Sequence, residues 1–275
     1  MYFYTFLAET LKRFRTTGQP MPIVGDYVIH VASATDIGCH RQNNEDSLGF
    51  FTLSDPENNR AGLAVIADGM GGHKAGEVAS KASVDIIGGH CVGHRFAHPQ
   101  QTLANAYLEA NRKIYAHAAE HYDCRGMGTT ATALLITDGV GCYAHVGDSR
   151  LYRVRSRQIE QLTKDHTLVA QFLQYGMITP QEAKSHPQKN ILTNALGTNP
   201  EVFVEVSDEV FTILLGDVFL LCTDGLYDKL DDEEILPLIV NNSPEEACSA
   251  LINAALDRGG NDNISVIILT IQNHR

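Results

Sequence analysis

Four aspartates in this chain of 275 residues share one local grammar. Asp68, Asp148, Asp224 and Asp262 each adjoin an apolar, strand-like run, and each has glycine or asparagine beside it. One such residue alone reads as a turn, and Asp138-Gly139, between two strand-like runs, is that case. Four of them, in a chain that also carries Arg41, Glu45 and Asp46 in one polar run, make independent turns a poorer account. Gathered carboxylates repel, so a cluster of them calls for cations. Oxygen ligands without Cys or His select hard ions, magnesium or manganese, over zinc. Two such ions about 3.5–4 Å apart clamp a bridging water, lower its pKa and make it a nucleophile. Arg41 supplies the fork that grips phosphate oxygens. Together these residue types predict phosphoester hydrolysis.

The elements that must position them begin with Leu63 to Gly72, LAVIADGMGG. Leu63 to Ala67 read as a buried strand that ends in Asp68-Gly69, with Gly71 and Gly72 keeping the backbone free of bulk. Tyr27 onward and Ser47–Leu53 read as strands too, and the three are expected as consecutive antiparallel neighbours that bring Arg41, Glu45 and Asp46 to the end of the sheet bearing Asp68. A helix from about Lys74 carries Val78, Ala82, Ile86 and Cys91 on one face, and a second, 99–122, buries Leu103, Tyr107, Ala110, Ile114 and Ala118. Strands return at Thr129–Thr137 and Gly141–Val146, then at Leu151–Val154 and Ile159–Leu162. Thr179-Pro180-Gln181-Glu182 and Ser243-Pro244-Glu245-Glu246 are capping boxes with proline at the first helical position. Between them lie the loop-rich residues 184–200, a flap beside a site, and then the strands Val202–Val206 and Asp217–Cys222. The last strand, Ile264–Ile271, follows Asp262-Asn263. This order is not the βαβ alternation of a parallel sheet. It reads as one α+β domain of antiparallel strands with helices outside, 27–273, after an extension and linker at 1–26.

Composition narrows the class. Hydrophobic residues make up 44% and charged residues 20%, an ordinary globular balance. The formal net charge of -12 argues against a nucleic acid held by bulk charge. Six scattered cysteines with no zinc spacing read as reduced thiols of a cytoplasmic protein. No apolar run reaches the roughly 18 residues that would span a bilayer. Near the start, Phe3, Leu7, Leu11 and Phe14 form a helical stripe expected to dock on the domain.

Arg41-x-x-Asn44-Glu45-Asp46, Asp68-Gly69-Met70-Gly71-Gly72, Gly126-Met127-Gly128-Thr129-Thr130, Gly147-Asp148-Ser149-Arg150, Thr223-Asp224-Gly225-Leu226 and Asp262-Asn263 occur in one order. In that order the chain resembles the metal-dependent Ser/Thr protein phosphatases of type 2C, in their bacterial form, over about residues 31–271. The resemblance implies two packed antiparallel β-sheets flanked by α-helices, an α-β-β-α sandwich with the metal site at one end. It implies two Mn or Mg ions and a weaker third. By it, Asp68 bridges the pair, the Gly69 carbonyl ligates one ion, and Asp224 and Asp262 complete the other. Asp148 with Asp224 matches the third position, Asp46 with Glu45 would hold metal-bound waters, and Arg41 would bind the substrate phosphate. Residues 167–200 match a flap that varies with substrate, and Gly126–Thr130 reads as structural. Phosphorylated proteins would be the substrates and a cognate Ser/Thr kinase the opposing enzyme.

One position departs from the pattern. Better-known eukaryotic members carry a histidine after the bridging Asp-Gly, proposed to protonate the leaving oxygen; here it is Met70. His73 reads as a surface residue, and His166, beside Asp165, is the other histidine that merits a test. Two alternatives stand beside the phosphatase: a catalytically weak phosphoprotein-binding regulatory module of the same fold, and a phosphatase of small molecules.

Overall fold

The computed structural model describes residues 27–53, 61–71, 75–92 and 98–273. The N-terminal stripe, Gly72 and His73 lie outside the described residues. The chain opens with β1 (Tyr27–Asp36), β2 (Asp46–Thr52) and β3 (Gly62–Met70), then α1 (Ala75–Cys91) and α2 (Pro99–Glu120). Strands β4 (Gly128–Thr129), β5 (Ala131–Thr137), β6 (Val140–Val146), β7 (Arg150–Arg155) and β8 (Gln158–Gln161) follow. Then come α3 (Leu168–Gln174), α4 (Pro180–Lys184), β9 (Glu205–Val206), β10 (Phe211–Thr212) and β11 (Val218–Cys222). The chain finishes with α5 (Asp224–Tyr227), α6 (Asp232–Val240), α7 (Pro244–Asp257) and β12 (Ile264–Asn273).

A five-stranded sheet runs β1-β12-β11-β7-β8, and a seven-stranded sheet runs β10-β6-β5-β3-β2 with β4 on β3 and β9 on β6. Every pairing is antiparallel. This is the expected sandwich, because the two-residue period divides each strand between two apolar layers. On β3, Leu63, Val65 and Ala67 pack under α1 and α2, while Ala64 and Ile66 face the other sheet. On β11 and β12, Leu220, Val266 and Ile268 pack under α6 and α7, while Phe219, Leu221, Ile267 and Leu269 fill the layer between sheets.

Several readings change, among them the strand expected at Val202–Val206, of which only Glu205–Val206 pairs. β1 does not pair with β2; it pairs along its whole length with β12 in the other sheet. Nothing in a single strand's pattern shows which partner takes its edge, so sequence order misled. The buried face of α1 is Ala75, Gly76, Ala79, Ser80, Ser83, Val84, Ile87, Gly88 and Cys91, with Val78 exposed and Ala82 and Ile86 only partly covered. Small residues decide that face: a Cβ on Gly88 would lie 2.0 Å from the Phe51 ring. Thr129–Thr137 is split at Thr130 into β4 and β5. By contrast Asp138 (φ 50°) and Gly139 (φ 76°) make the expected left-handed hairpin turn, and both capping boxes are formed.

Between β6 and β7 the chain leaves one sheet for the other within Gly147–Ser149. Gly147 sits at φ 104°, and a Cβ there would lie 2.5 Å from Thr130. Gly147→Ala is therefore expected to lower stability by about 2–3 kcal/mol, from left-handed backbone strain and overpacking together. Urea denaturation measures it, and an unchanged midpoint would show that the crossing tolerates a side chain.

Candidate active site

Asp68 continues the alternation of Ala64 and Ile66, so its carboxylate enters the inter-sheet layer at the sandwich's end. The strand does not end at Asp68-Gly69, as the sequence suggested; it runs on to Met70, pairing Gly69 with Thr129 and Met70 with Gly128. Asp46 is the registered partner of Asp68 on β2. Two carboxylates thus stand directly opposite on neighbouring strands, a destabilising pair when both are charged. From the other sheet, Thr223 follows β11, and its hydroxyl donates to Asp46 Oδ2 at 2.9 Å. Asp224 opens α5. Asp262 precedes β12, and Asp148 lies in the crossing between the sheets.

A cavity of about 520 Å³ gathers Asp68, Asp148, Asp224, Asp262, Glu45 and Arg41 on its wall. Residues 190, 192–195 and 198–199, from the segment after α4, line it as well. Asp46 is not on that wall; it stands behind, partly buried, with its Oδ1 enclosed. The backbone packs closely here: a Cβ on Gly69 would meet the Gly76 carbonyl oxygen at 2.1 Å, and one on Gly225 the Asn263 carbonyl oxygen at 2.0 Å.

Burial first, then the neighbouring aspartates, raises the carboxyls of Asp68 and Asp224 well above the usual carboxylate range. Burial raises Asp46 and Asp148 also, against hydrogen bonds to their carboxylates that pull the other way. Burial raises Glu45, opposed by Arg41. Arg41 donates from Nη2 to Asp262 Oδ2 at 2.6 Å, a bond that holds its guanidinium charged. Two buried oxygens, Asp46 Oδ1 and Asp224 Oδ1, have no hydrogen-bond partner. Among the described residues, no three His, Cys, Asp or Glu side chains close on one point tightly enough to enclose an ion. The acids instead ring a shared space. An all-oxygen donor set with mutual repulsion and unpartnered oxygens fits hard divalent cations, which would relieve both.

Sequence reasoning missed the residues that hold these acids in place. Asn263 accepts from the Glu45 N–H at 2.8 Å and donates to the carbonyls of Ile37 and Asn43, pinning the Arg41–Asp46 loop beside Asp262. The Thr130 hydroxyl accepts from the Asp68 N–H, and the Thr129 hydroxyl donates to the Asp68 carbonyl, both at 2.9 Å. The signal was present in the motif containing Gly126–Thr130, which was read as a strand start with no part in the site. Met70 lines the cavity, and its thioether has no proton to give.

The sequence pattern of one known family, Protein phosphatase 2C, matches residues 40–250. The chain belongs to this family. The phosphatase is 35% identical over 258 residues to protein phosphatase PhpP of Streptococcus pneumoniae serotype 2, covering 88% of this chain and 98% of that one. It superposes on the crystal structure of the Mycobacterium tuberculosis serine/threonine phosphatase PstP/Ppp with a TM-score of 0.81 and 36% identity, covering 90% of this chain and all of the other. A structure of the PstP catalytic domain in complex with two manganese ions matches with a TM-score of 0.79 at 34% identity, again over 90% of this chain and all of that one. The protein is therefore a serine/threonine protein phosphatase, a hydrolase with the two-sheet fold of its relatives.

The raised carboxyls set the sign of a pH effect in the metal-free protein. Folded Asp68 and Asp224 hold protons that the unfolded chain, at ordinary carboxylate values, has lost. Stability must then fall as pH rises through the folded values and recover as pH is lowered. In excess chelator, thermal unfolding should move to higher temperature between pH 8 and pH 6, the interval around the value of about 7 to which Asp46 and Asp148 are raised, and Asp68→Asn should flatten the dependence. A melting temperature that falls over the same interval would contradict the repulsion described above.

Proposed function

We propose that this phosphatase hydrolyses phosphoserine and phosphothreonine esters of proteins with two Mn or Mg ions, opposing a Ser/Thr kinase. Residues 27–273 would be the catalytic domain and 1–26 an extension. Asp68, the Gly69 carbonyl, Asp224 and Asp262 would hold the pair, and Asp148 with Asp224 a weaker third ion. Bound there, the ions supply a nucleophile from water at neutral pH and positive charge for the phosphoryl oxygens. A cytoplasmic location fits six cysteines that are all free and, among the described residues, no helix long and apolar enough to cross a membrane.

The chain's own residues do the positioning. Thr130 and Thr129 fix the backbone of Asp68 from both sides of its peptide. Asp46, bonded to Thr223, ties the two sheets together directly behind it, and Glu45 would share with Asp46 the holding of solvent in the site. The observation that carries the reading is Arg41, half exposed on the wall of an otherwise acidic cavity. It is bonded to Asp262 through one nitrogen, which leaves further N–H groups for an incoming phosphate. With Met70 in place of a proton donor after Asp68-Gly69, the leaving oxygen takes its proton from water.

With manganese present, the protein should hydrolyse both p-nitrophenyl phosphate and a phosphothreonine peptide, and Asp68→Asn should abolish turnover of each. Full activity in excess chelator would refute the metal dependence; negligible turnover with retained phosphoprotein binding would favour a regulatory module. Arg41→Ala should raise the peptide KM about tenfold with a smaller change in kcat, the pattern of a lost binding contact. An unaltered KM would remove Arg41 from phosphate binding.

A further inference from the structure

His166 stands outside the acidic cavity, yet three of its atoms make four hydrogen bonds to the segments that form the cavity. Its N–H donates to the Gly147 carbonyl at 2.7 Å, and its ring Nδ1 accepts from the Gly147 N–H at 3.1 Å. The residue thus grips both polar groups of Gly147, immediately before Asp148. Its own carbonyl accepts from the Thr193 N–H at 2.8 Å, and Nδ1 accepts a second time from Asn194 Nδ2 at 3.0 Å. Asn194 Nδ2 also bonds the Phe203 carbonyl at 2.7 Å, which can only accept, so this atom is the amide nitrogen. Two fixed donors therefore converge on Nδ1, which must be unprotonated, and the ring proton sits on Nε2.

That proton points towards Glu205, 3.4 Å away and without hydrogen-bond alignment. Glu205 in turn accepts from the Tyr143 hydroxyl at 3.1 Å on β6. The ring also packs 4.7 Å from the buried ring of His145 and 5.7 Å from the exposed ring of Phe203. His145 is held by the Thr132 hydroxyl at 2.8 Å and the Lys164 carbonyl at 3.1 Å. The orientation of the ring is thus fixed from β5, β6, β9 and the loop before α3. Sequence spacing alone could not show this, since Gly147, His166, Asn194 and Glu205 are distant in the chain.

We propose that His166 is a positioning residue for substrate recognition. Its Nδ1 clamps the Asp148 loop to the segment 193–194, and so sets the distance between the acids and the opposite cavity wall. Thr193 and Asn194 are on that wall, as are Asn190, Leu192 and Ala195. A phosphopeptide entering the cavity must fit between them and the acids. A small aryl phosphate presents little beyond its phosphoryl group and depends on the wall far less. This inference rests on the phosphatase reading above and adds to it a residue that touches neither phosphate nor metal ligand side chain.

The test uses the full chain with manganese and three variants. His166→Phe keeps a ring without an acceptor, His166→Gln keeps polarity without an acceptor at the Nδ1 position, and His166→Asn returns an oxygen near it. For Phe and Gln, kcat/KM on a phosphothreonine peptide should fall about tenfold, carried by KM, while that on p-nitrophenyl phosphate changes less than about threefold. Amide exchange should quicken at Gly147 and at Thr193–Asn194, and His166→Asn should restore most of both properties. Should His166→Phe fail to fold, the Gln and Asn pair decides alone. Equal losses on both substrates, or wild-type peptide kinetics and exchange in both acceptor-free variants, would overturn the proposal. A wild-type protein that turns over neither substrate would instead overturn the phosphatase reading itself.

Discussion

The structure is governed by the repulsion between carboxylates that the fold drives into one buried end. Asp46 and Asp68 face each other across β2 and β3, and Asp224, Asp148 and Asp262 add to the field around Asp68. No local preference favours this arrangement. It is imposed by apolar layers that continue past Ile66 and Leu221 and leave the next inward positions to Asp68 and Thr223. A conflict of this kind between local energetics and fold is expected where function demands it. Around it the chain has placed every device that fixes a backbone without filling space: glycines at 69, 147 and 225, threonine hydroxyls, and the branching amide of Asn263.

How much of this could be read beforehand depends on range. Asp68, Asp148, Asp224, Asp262, Glu45 and Arg41 were found together because short-range grammar, an apolar strand beside a small or amide residue, marks each one, and the cavity does gather them. The capping boxes at Thr179 and Ser243 and the Asp138-Gly139 turn were legible for the same reason, as their partners lie within three residues. Asn263 shows the limit. It bonds residues more than 200 positions away, and nothing in the run Asn261-Asp262-Asn263 tells which asparagine carries that task. The partner of β1 was hidden likewise, and the α1 face was misjudged because bulk hydrophobicity pointed to Val78 while close packing chose glycine and serine.

The acidic cavity has two unlike walls. One is made of strand ends and short turns locked by backbone contact. The other is the segment from Asn190 to Asn199, fastened by individual hydrogen bonds: the Ile191 carbonyl to the Leu168 N–H, the Thr193 N–H and the Asn194 amide to His166, the Leu196 and Thr129 backbones to each other, and the Gly197 N–H and Asn199 carbonyl to Asn111. The second wall is joined to the first through such individual bonds, so its side chains that make none of them, Leu192 and Ala195 among them, are the ones free to vary with selectivity while the acids stay held.

The acids divide between the sheets. Asp46 and Asp68 belong to the seven-stranded sheet, Asp224 and Asp262 flank strands of the five-stranded one, and Asp148 sits on the connection. The gap across which they face is therefore the thickness of the apolar layer formed by Ile66, Leu134, Phe219, Leu221 and Ile267. The sandwich works as a calliper whose jaws are the two sets of carboxylates and whose spacer is the hydrophobic core. A change of side-chain volume deep in that layer is transmitted as a change of jaw opening. The core thus calibrates the site as well as stabilising the fold, without any of its residues reaching the cavity.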